Sequence, residues 1–392
     1  MREVVITSAC RTPIGSFRGS LSGLTATRLG AAAIRAAVER SGLTGSDVSE
    51  VLMGNVLGAG LGQAPARQAA LGAGLPTSVP CTTVNKVCGS GLKAVMLGAQ
   101  AVMLGDAEIV VAGGMESMSN APYILDKARG GYRMGNAELI DCMVKDGLLD
   151  AYKGVLMGDA GELCARECGI SREAQDAFAV RSYTLAREAG EKGFFREEIV
   201  PVTVPRGKEE TVVAADEEPP NADFARIPRL KPVFAPDGTI TAANASKISD
   251  GAAALVIMGA DTARSRNIRP LARILGFGST AKDPVWFTTA PADVVRAVLA
   301  RCGLTEGDVD LFEINEAFAV VALAVQRILG LDTARLNVHG GAIALGHPLG
   351  ASGARVLVTL VHALRLRQGR RGVAALCIGG GEASGMALER FS

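Results

Sequence analysis

The chain has 392 residues, with 41 Lys and Arg against 40 Asp and Glu for a formal charge of +1, and 48% of it is apolar. That length supports two or three domains around a sizeable core and rules out a small disulfide scaffold. The charge balance supplies no field for holding nucleic acid or an anionic membrane, and no run reaches the roughly 18 consecutive apolar residues of a membrane span.

The first residues, Met1 to Thr7, read as a strand, because the apolar run Val4-Val5-Ile6 is far too short for a signal peptide. A cytoplasmic protein is therefore expected, and its eight Cys are expected as thiols rather than disulfides. Cys88-Gly89-Ser90-Gly91 then opens an apolar helix, Leu92 to Leu104, and a strand from Glu108 to Ala112 leads into Gly113-Gly114-Met115-Glu116. A thiol at a helix start meets unpaired N–H groups and the helix dipole. A lowered pKa and nucleophilic character are expected for Cys88, against the alternative of a thiol packed for volume.

From residue 120 to about 245 the sequence turns polar and interrupted, as in Arg206 to Glu210 and Asp216 to Asn221, which suits an inserted lobe. Cys164 and Cys168 share a helix face, but with no second pair nearby they read as ordinary thiols rather than a zinc site. Ser171 offers an N-cap to the helix that follows it. Further on, a strand-like run from Val309 to Ile314 delivers Asn315 to the start of an apolar helix, where a cap or a ligand to water and carbonyl are both open.

Gly346-His347-Pro348-Leu349-Gly350 places an imidazole on a stiffened turn, where it can serve a thiol as base. Next come Gly350-Ala351-Ser352-Gly353, an apolar helix from Ala354 to Leu366, a strand from Val373 to Ile378 containing Cys377, and Gly379-Gly380-Gly381-Glu382. The order repeats that of residues 88–116: small-residue turn, helix, strand, glycines and Glu. An internal duplication follows, in an α/β protein of layered sheets and helices. The expected division is a first half of residues 1–119 with 246–269, an inserted lobe at 120–245, and a second half at 270–392.

Four blocks, Asn85 to Gly91, Asn315 to Phe318, Gly346 to Gly353 and Cys377 to Gly381, resemble the signature motifs of the thiolases in their family order, and the resemblance runs nearly end to end. It implies the thiolase fold and an acyl-cysteine reaction joining two acetyl-CoA into acetoacetyl-CoA and CoA, or the reverse. Cys88 would carry the acyl group with His347 activating it, and Cys377 would exchange a proton with the substrate α-carbon. The N–H groups of Cys88 and Gly379 would hold one oxyanion, and His347 with a water on Asn315 the other. Ser246, Met157, Phe234, Ala317 and Phe318 match positions along the CoA channel.

Two departures bear on chain length. Leu156 stands where many short-chain members have His, and Trp286-Phe287-Thr288-Thr289 replaces a common Met-Gly pair. A thiolase for longer 3-ketoacyl-CoA esters is therefore the alternative, followed by a CoA-ester binder without turnover. No metal or redox cofactor is expected; acyl-CoA and CoA are the partners, and the assembly is expected to be a homodimer or homotetramer.

Overall fold

The computed structural model describes residues 2–391. The first half runs β1 (Val4–Arg11), α1 (Ala26–Arg40), β2 (Glu50–Gly54), α2 (Pro65–Gly72), β3 (Cys81–Val84), α3 (Ser90–Leu104) and β4 (Ile109–Ser117). An excursion carrying α4 (Met157–Glu167) and α5 (Arg172–Glu191) precedes β5 (Ser249–Gly259). The second half runs β6 (Ala272–Ala281), α6 (Ala290–Cys302), β7 (Leu311–Ile314), α7 (Ala319–Leu329), α8 (Leu349–Leu366), β8 (Arg371–Ile378) and β9 (Glu382–Arg390).

These strands form one continuous sheet in the order β3-β2-β4-β5-β1-β6-β9-β8-β7. Its two halves match. β4 is parallel to β2 and antiparallel to β5, and β8 is parallel to β7 and antiparallel to β9. β1 and β6 meet antiparallel at the seam.

Strand alternation sorts the core into layers. On β5, Ala253, Leu255 and Ile257 face a cluster with α3 and α8, while Ala252, Ala254, Val256 and Met258 face α1 and α2. On β8, Ala374 and Leu376 join the same α3–α8 cluster, and Val373 and Ala375 face α6 and α7. The duplicated helices α3 and α8 thus lie between the two sheet halves, with other helices outside. By length and mean hydropathy both could cross a membrane, but the windows Val87–Leu104 and Leu349–Leu366 are 61% and 89% buried in the protein.

Where α3 and α8 start, their backbones touch. A Cβ on Gly91 would lie 2.7 Å from Ala354 N, and one on Gly353 2.4 Å from Leu92 N, so the two glycines occupy equivalent places and neither tolerates a side chain. The glycine-Glu match between the halves, however, is shifted by the strand register. Gly54 pairs with Gly114 and Ile314 with Ala375. Glu116 therefore stands within β4 at the place Cys377 takes in β8, whereas Gly379 to Gly381 form the turn beyond β8.

The polar excursion is tied down by charge. Asp216, in an acidic run expected to stay out of the core, is buried and takes both Nη atoms of buried Arg11 at 2.6 and 2.8 Å. Arg11 Nε donates to buried Glu198 at 2.6 Å. A buried guanidinium needs such forked partners, and local composition does not reveal them. Ser171 caps α5 as expected, its side chain accepting from Ala174 N at 3.2 Å.

Candidate active site

Cys88 sits on a turn just ahead of α3. Val87 there has φ 45, a strained conformation for a β-branched residue. It is held by Val87 N donating to Asn85 Oδ1 at 3.0 Å and by Ser90 Oγ, which donates to Val87 O at 2.6 Å and accepts from Lys86 N at 2.8 Å. Helix α3 begins only at Ser90, so Cys88 lies outside its first turn. The expected lowering of its pKa is overturned: burial pushes the thiol up to about 11, against the opposing pull of the N–H groups of Gly379 and Cys88 itself. Desolvation of a thiolate outweighs two backbone dipoles.

Cys377 is the penultimate residue of β8 and is fully buried. Burial raises its thiol well above the ordinary 9.0, and negative charge on Cys88 or Cys164 raises it further. Cys88 and Cys377 are thus electrostatic neighbours, with the Gly379 N–H on the Cys88 sulfur. Cys164 donates to Cys168 Sγ at 3.9 Å. Among the described residues no three His, Cys, Asp or Glu side chains converge as a metal site.

The first two turns of α8 orient the other two groups. Ser352 Oγ gives its proton to Pro348 O at 2.8 Å, so toward His347 Nδ1, at 2.6 Å, it can only accept. That fixes the proton on Nδ1 and leaves Nε2, buried and without a protein partner, as a bare lone pair. Burial, and secondarily the charge of Arg355, lowers the imidazole to about 3, so it rests neutral. Leu349, on the same turn, packs in the small cluster against which Cys88 lies. Asn315 follows β7 directly and is fully buried; its Oδ1 accepts from Arg355 Nη2 at 3.2 Å, and Nδ2 has no protein partner.

The five channel residues gather beside these groups. Met157, Phe234, Ala317 and Phe318 share one apolar cluster with Cys377 and Phe287. Phe234 and Phe318 meet edge to face at 6.1 Å. Ser246 N donates to Ala317 O at 3.0 Å, and the next residue, Lys247, accepts from His347 N at 3.0 Å, which ties the channel wall to the imidazole turn. A Cβ on Gly379 would lie 3.4 Å from Met157 Sδ. Leu156, which starts α4, is instead 37% exposed.

One carboxylate at the centre escaped the sequence reading. Glu116, fully buried, accepts from Asn55 Nδ2, Val56 N, Leu57 N and Gly350 N at 2.8 to 3.2 Å. It thereby clamps the turn after β2 to the start of α8. Burial raises it to about 7 against the pull of the three backbone donors, Gly350, Val56 and Leu57. The available signal was an acid following the apolar run Ile109 to Met115, which continues the strand beyond Ala112. His339 packs against Phe194 at 5.3 Å and His362 Nε2 bonds to Ala9 O at 2.9 Å, both away from the thiols. A cavity of about 810 Å³ between Arg40, Arg187 and Asp216 includes none of the site residues.

The family model "Thiolase, N-terminal domain" matches residues 4–261, and "Thiolase, C-terminal domain" matches 268–390. A relative from Schizosaccharomyces pombe named acetyl-CoA acetyltransferase is 54% identical over 99% of each chain. A Bos taurus relative named acetyl-CoA acetyltransferase, mitochondrial, is 52% identical over 100% of this chain and 92% of its own. Among solved structures, a thiolase from Ascaris suum in complex with coenzyme A superposes with a TM-score of 0.95 at 45% identity over the whole of both chains. The mitochondrial names, shared by the Mus musculus relative at 52%, overturn the expectation of a cytoplasmic protein. That expectation leaned on the short run Val4 to Ile6, which is part of core strand β1.

Proposed function

The chain belongs to the thiolase family, and from that premise we propose that it is an acetyl-CoA C-acetyltransferase, interconverting two acetyl-CoA with acetoacetyl-CoA and CoA. The observation that carries the reading is the neighbouring pair Cys88 and Cys377, with the Gly379 N–H on the Cys88 sulfur and a buried, bare Nε2 on neutral His347.

In the thiolysis direction, His347 Nε2 takes the Cys88 proton and the thiolate bonds to the 3-keto carbon, whose oxygen is held by the N–H groups of Cys88 and Gly379. The C2–C3 bond breaks and releases the enolate of acetyl-CoA. His347 Nε2–H and a water on Asn315 Nδ2 hold the enolate oxygen, while the Cys377 thiol gives its proton to C2. Acetyl-Cys88 remains. A CoA thiol then loses its proton to the Cys377 thiolate and attacks the acetyl carbon, and Cys88 leaves and recovers its proton from His347. Condensation is the same sequence reversed.

The resting charges suit this order. A thiol raised well above 9.0 rests protonated at Cys377, and an imidazole lowered to about 3 rests unprotonated at His347, so each starts in the form its step requires. The imidazolium exists only while negative charge faces it. Preorganised donors in a dry site each supply about 3 to 4 kcal/mol to such an enolate.

The reaction so written calls on no metal or redox group; CoA is substrate and product. Met157, Phe234, Ala317 and Phe318 line its path, with Ser246 beside the pantetheine. The enzyme is a homodimer or homotetramer in this reading, supported by the exposed apolar side chains of Met134 and Leu139 in the excursion; light scattering tests it. Activity is tested by CoA-dependent thiolysis across 3-ketoacyl-CoA esters of increasing length, with Cys88→Ser as blank. Cleavage confined to acetoacetyl-CoA is expected. Equal or faster cleavage of long chains would replace it with the degradative type, with Leu156 opening the acyl path.

A further inference from the structure

Arg355 takes no part in the chemistry above, yet it lies on α8 one turn past the serine that holds His347. Its Nη1 donates to Glu313 Oε1 at 2.9 Å and its Nη2 to Asn315 Oδ1 at 3.2 Å, with the arginine 1% and the glutamate 2% exposed. Burial raises the Glu313 carboxyl to about 8 against the pull of Arg355, so a buried pair of this kind is weak evidence for stability. What it does accomplish is directional. An asparagine amide can lie in two orientations that exchange oxygen and nitrogen, and a guanidinium only donates. Opposite Arg355 the flipped amide would set donor against donor. Only the orientation with Oδ1 toward the guanidinium survives, which sends the partnerless Nδ2 to the other side.

Resting on the thiolase reading, the geometry points to Arg355 as a positioning residue for the enolate step: it locks Asn315 with Nδ2 as the free donor and sets a fixed positive charge behind Asn315 and His347. The oxygen of the acetyl group on Cys88 is held elsewhere, by backbone N–H groups that Arg355 does not touch. Its loss should therefore divide two half-reactions that share one nucleophile.

Two rates measured on the same preparation test this. Exchange of labelled CoA into acetyl-CoA passes through acetyl-Cys88 without an enolate, whereas thiolysis of acetoacetyl-CoA expels one. Arg355→Met combined with Glu313→Gln removes the guanidinium and the carboxyl that faces it and leaves no orphan ion. Thiolysis kcat should fall about 100-fold, the scale of one oxyanion donor, while exchange stays within about threefold. Adding Asn315→Ala to that background should lower thiolysis by no more than about threefold further, because residues acting as a unit are not additive. If the paired variant is too unstable to assay, Arg355→Lys, which keeps the charge but loses the fork, should show the same split with a thiolysis loss of about tenfold. A parallel fall of both rates, or a full multiplicative loss on adding Asn315→Ala, would reduce Arg355 to a structural ion pair. Wild-type protein lacking both rates would instead bring down the thiolase reading itself.

Discussion

At the adjoining ends of β2 and β4 the first half of the molecule places Asn55 and Glu116; at the matching ends of β7 and β8 the second half places Asn315 and Cys377. The two pairs occupy equivalent positions of a duplicated unit and have opposite fates. Asn55 Nδ2 turns to Glu116 and to Met115 O, and the Glu116 carboxylate gathers the N–H groups of Val56, Leu57 and Gly350. Asn315 Nδ2 is left without a protein partner, and Cys377 keeps its proton because burial forbids the thiolate. One half uses its amide N–H and its carboxylate to hold turns, and the other leaves its amide N–H without a protein partner. The connections after these strands differ in the same sense: residues 118–248 follow β4, whereas Gly379 to Gly381 alone follow β8 and deliver a backbone N–H to Cys88.

Substitutions at matched positions should expose that division. The largest contrast is expected between Cys377→Ala, which should lower thiolysis by about 1000-fold as general acid–base groups do, and Glu116→Gln, which should lower it less than about tenfold. Equal losses in steady-state assays would erase the distinction. Asn315→Ala should cost about 100-fold in kcat with little change in unfolding, while Asn55→Ala should destabilise the fold by about 1–3 kcal/mol in urea titration and leave kcat nearly unchanged. A rate loss confined to Asn55→Ala would invert the assignment.

A smaller effect follows from protonation. Burial raises Glu116 from 4.5 to about 7, so between those pH values the native protein binds a proton that the unfolded chain has released, and this contribution to stability is lost as pH rises. Unfolding free energies of Glu116→Gln relative to wild type should therefore move in favour of the variant across that window; a flat difference would mean that Glu116 titrates normally. The smallest expected change is at His347. With its imidazole lowered to about 3, thiolysis kcat/KM should show no inflection at the ordinary 6.5, and one that disappears in His347→Asn would mean the ring rests charged.

The duplication and the residues of the site were legible in the chain because each lies in a local pattern: a small-residue turn before an apolar helix, or an apolar strand ending in glycines. Cys88, His347, Asn315 and Cys377 all sit at such junctions. The register of the repeat was not legible, since glycines after β8 look the same on paper as glycines inside β4, and only Gly54 pairing with Gly114 beside Ile314 pairing with Ala375 separates them. Glu116, Arg355 and the Arg11–Asp216 pair were missed for a related reason: their partners lie far away in sequence, and a buried charge is explained only by what faces it.

The pKa of Cys88 makes the same point in energetic terms. Sequence position offered a dipole and N–H donors, which favour the thiolate, but the folded site adds desolvation, which is larger and of opposite sign. Local order of residue types therefore determined the family and the repeated architecture, and singled out Cys88 as the candidate nucleophile. Protonation states, the tautomer of His347, the orientation of the Asn315 amide and the silent role of the first half were settled by packing, because each depends on groups brought together from across the chain and on the water they exclude.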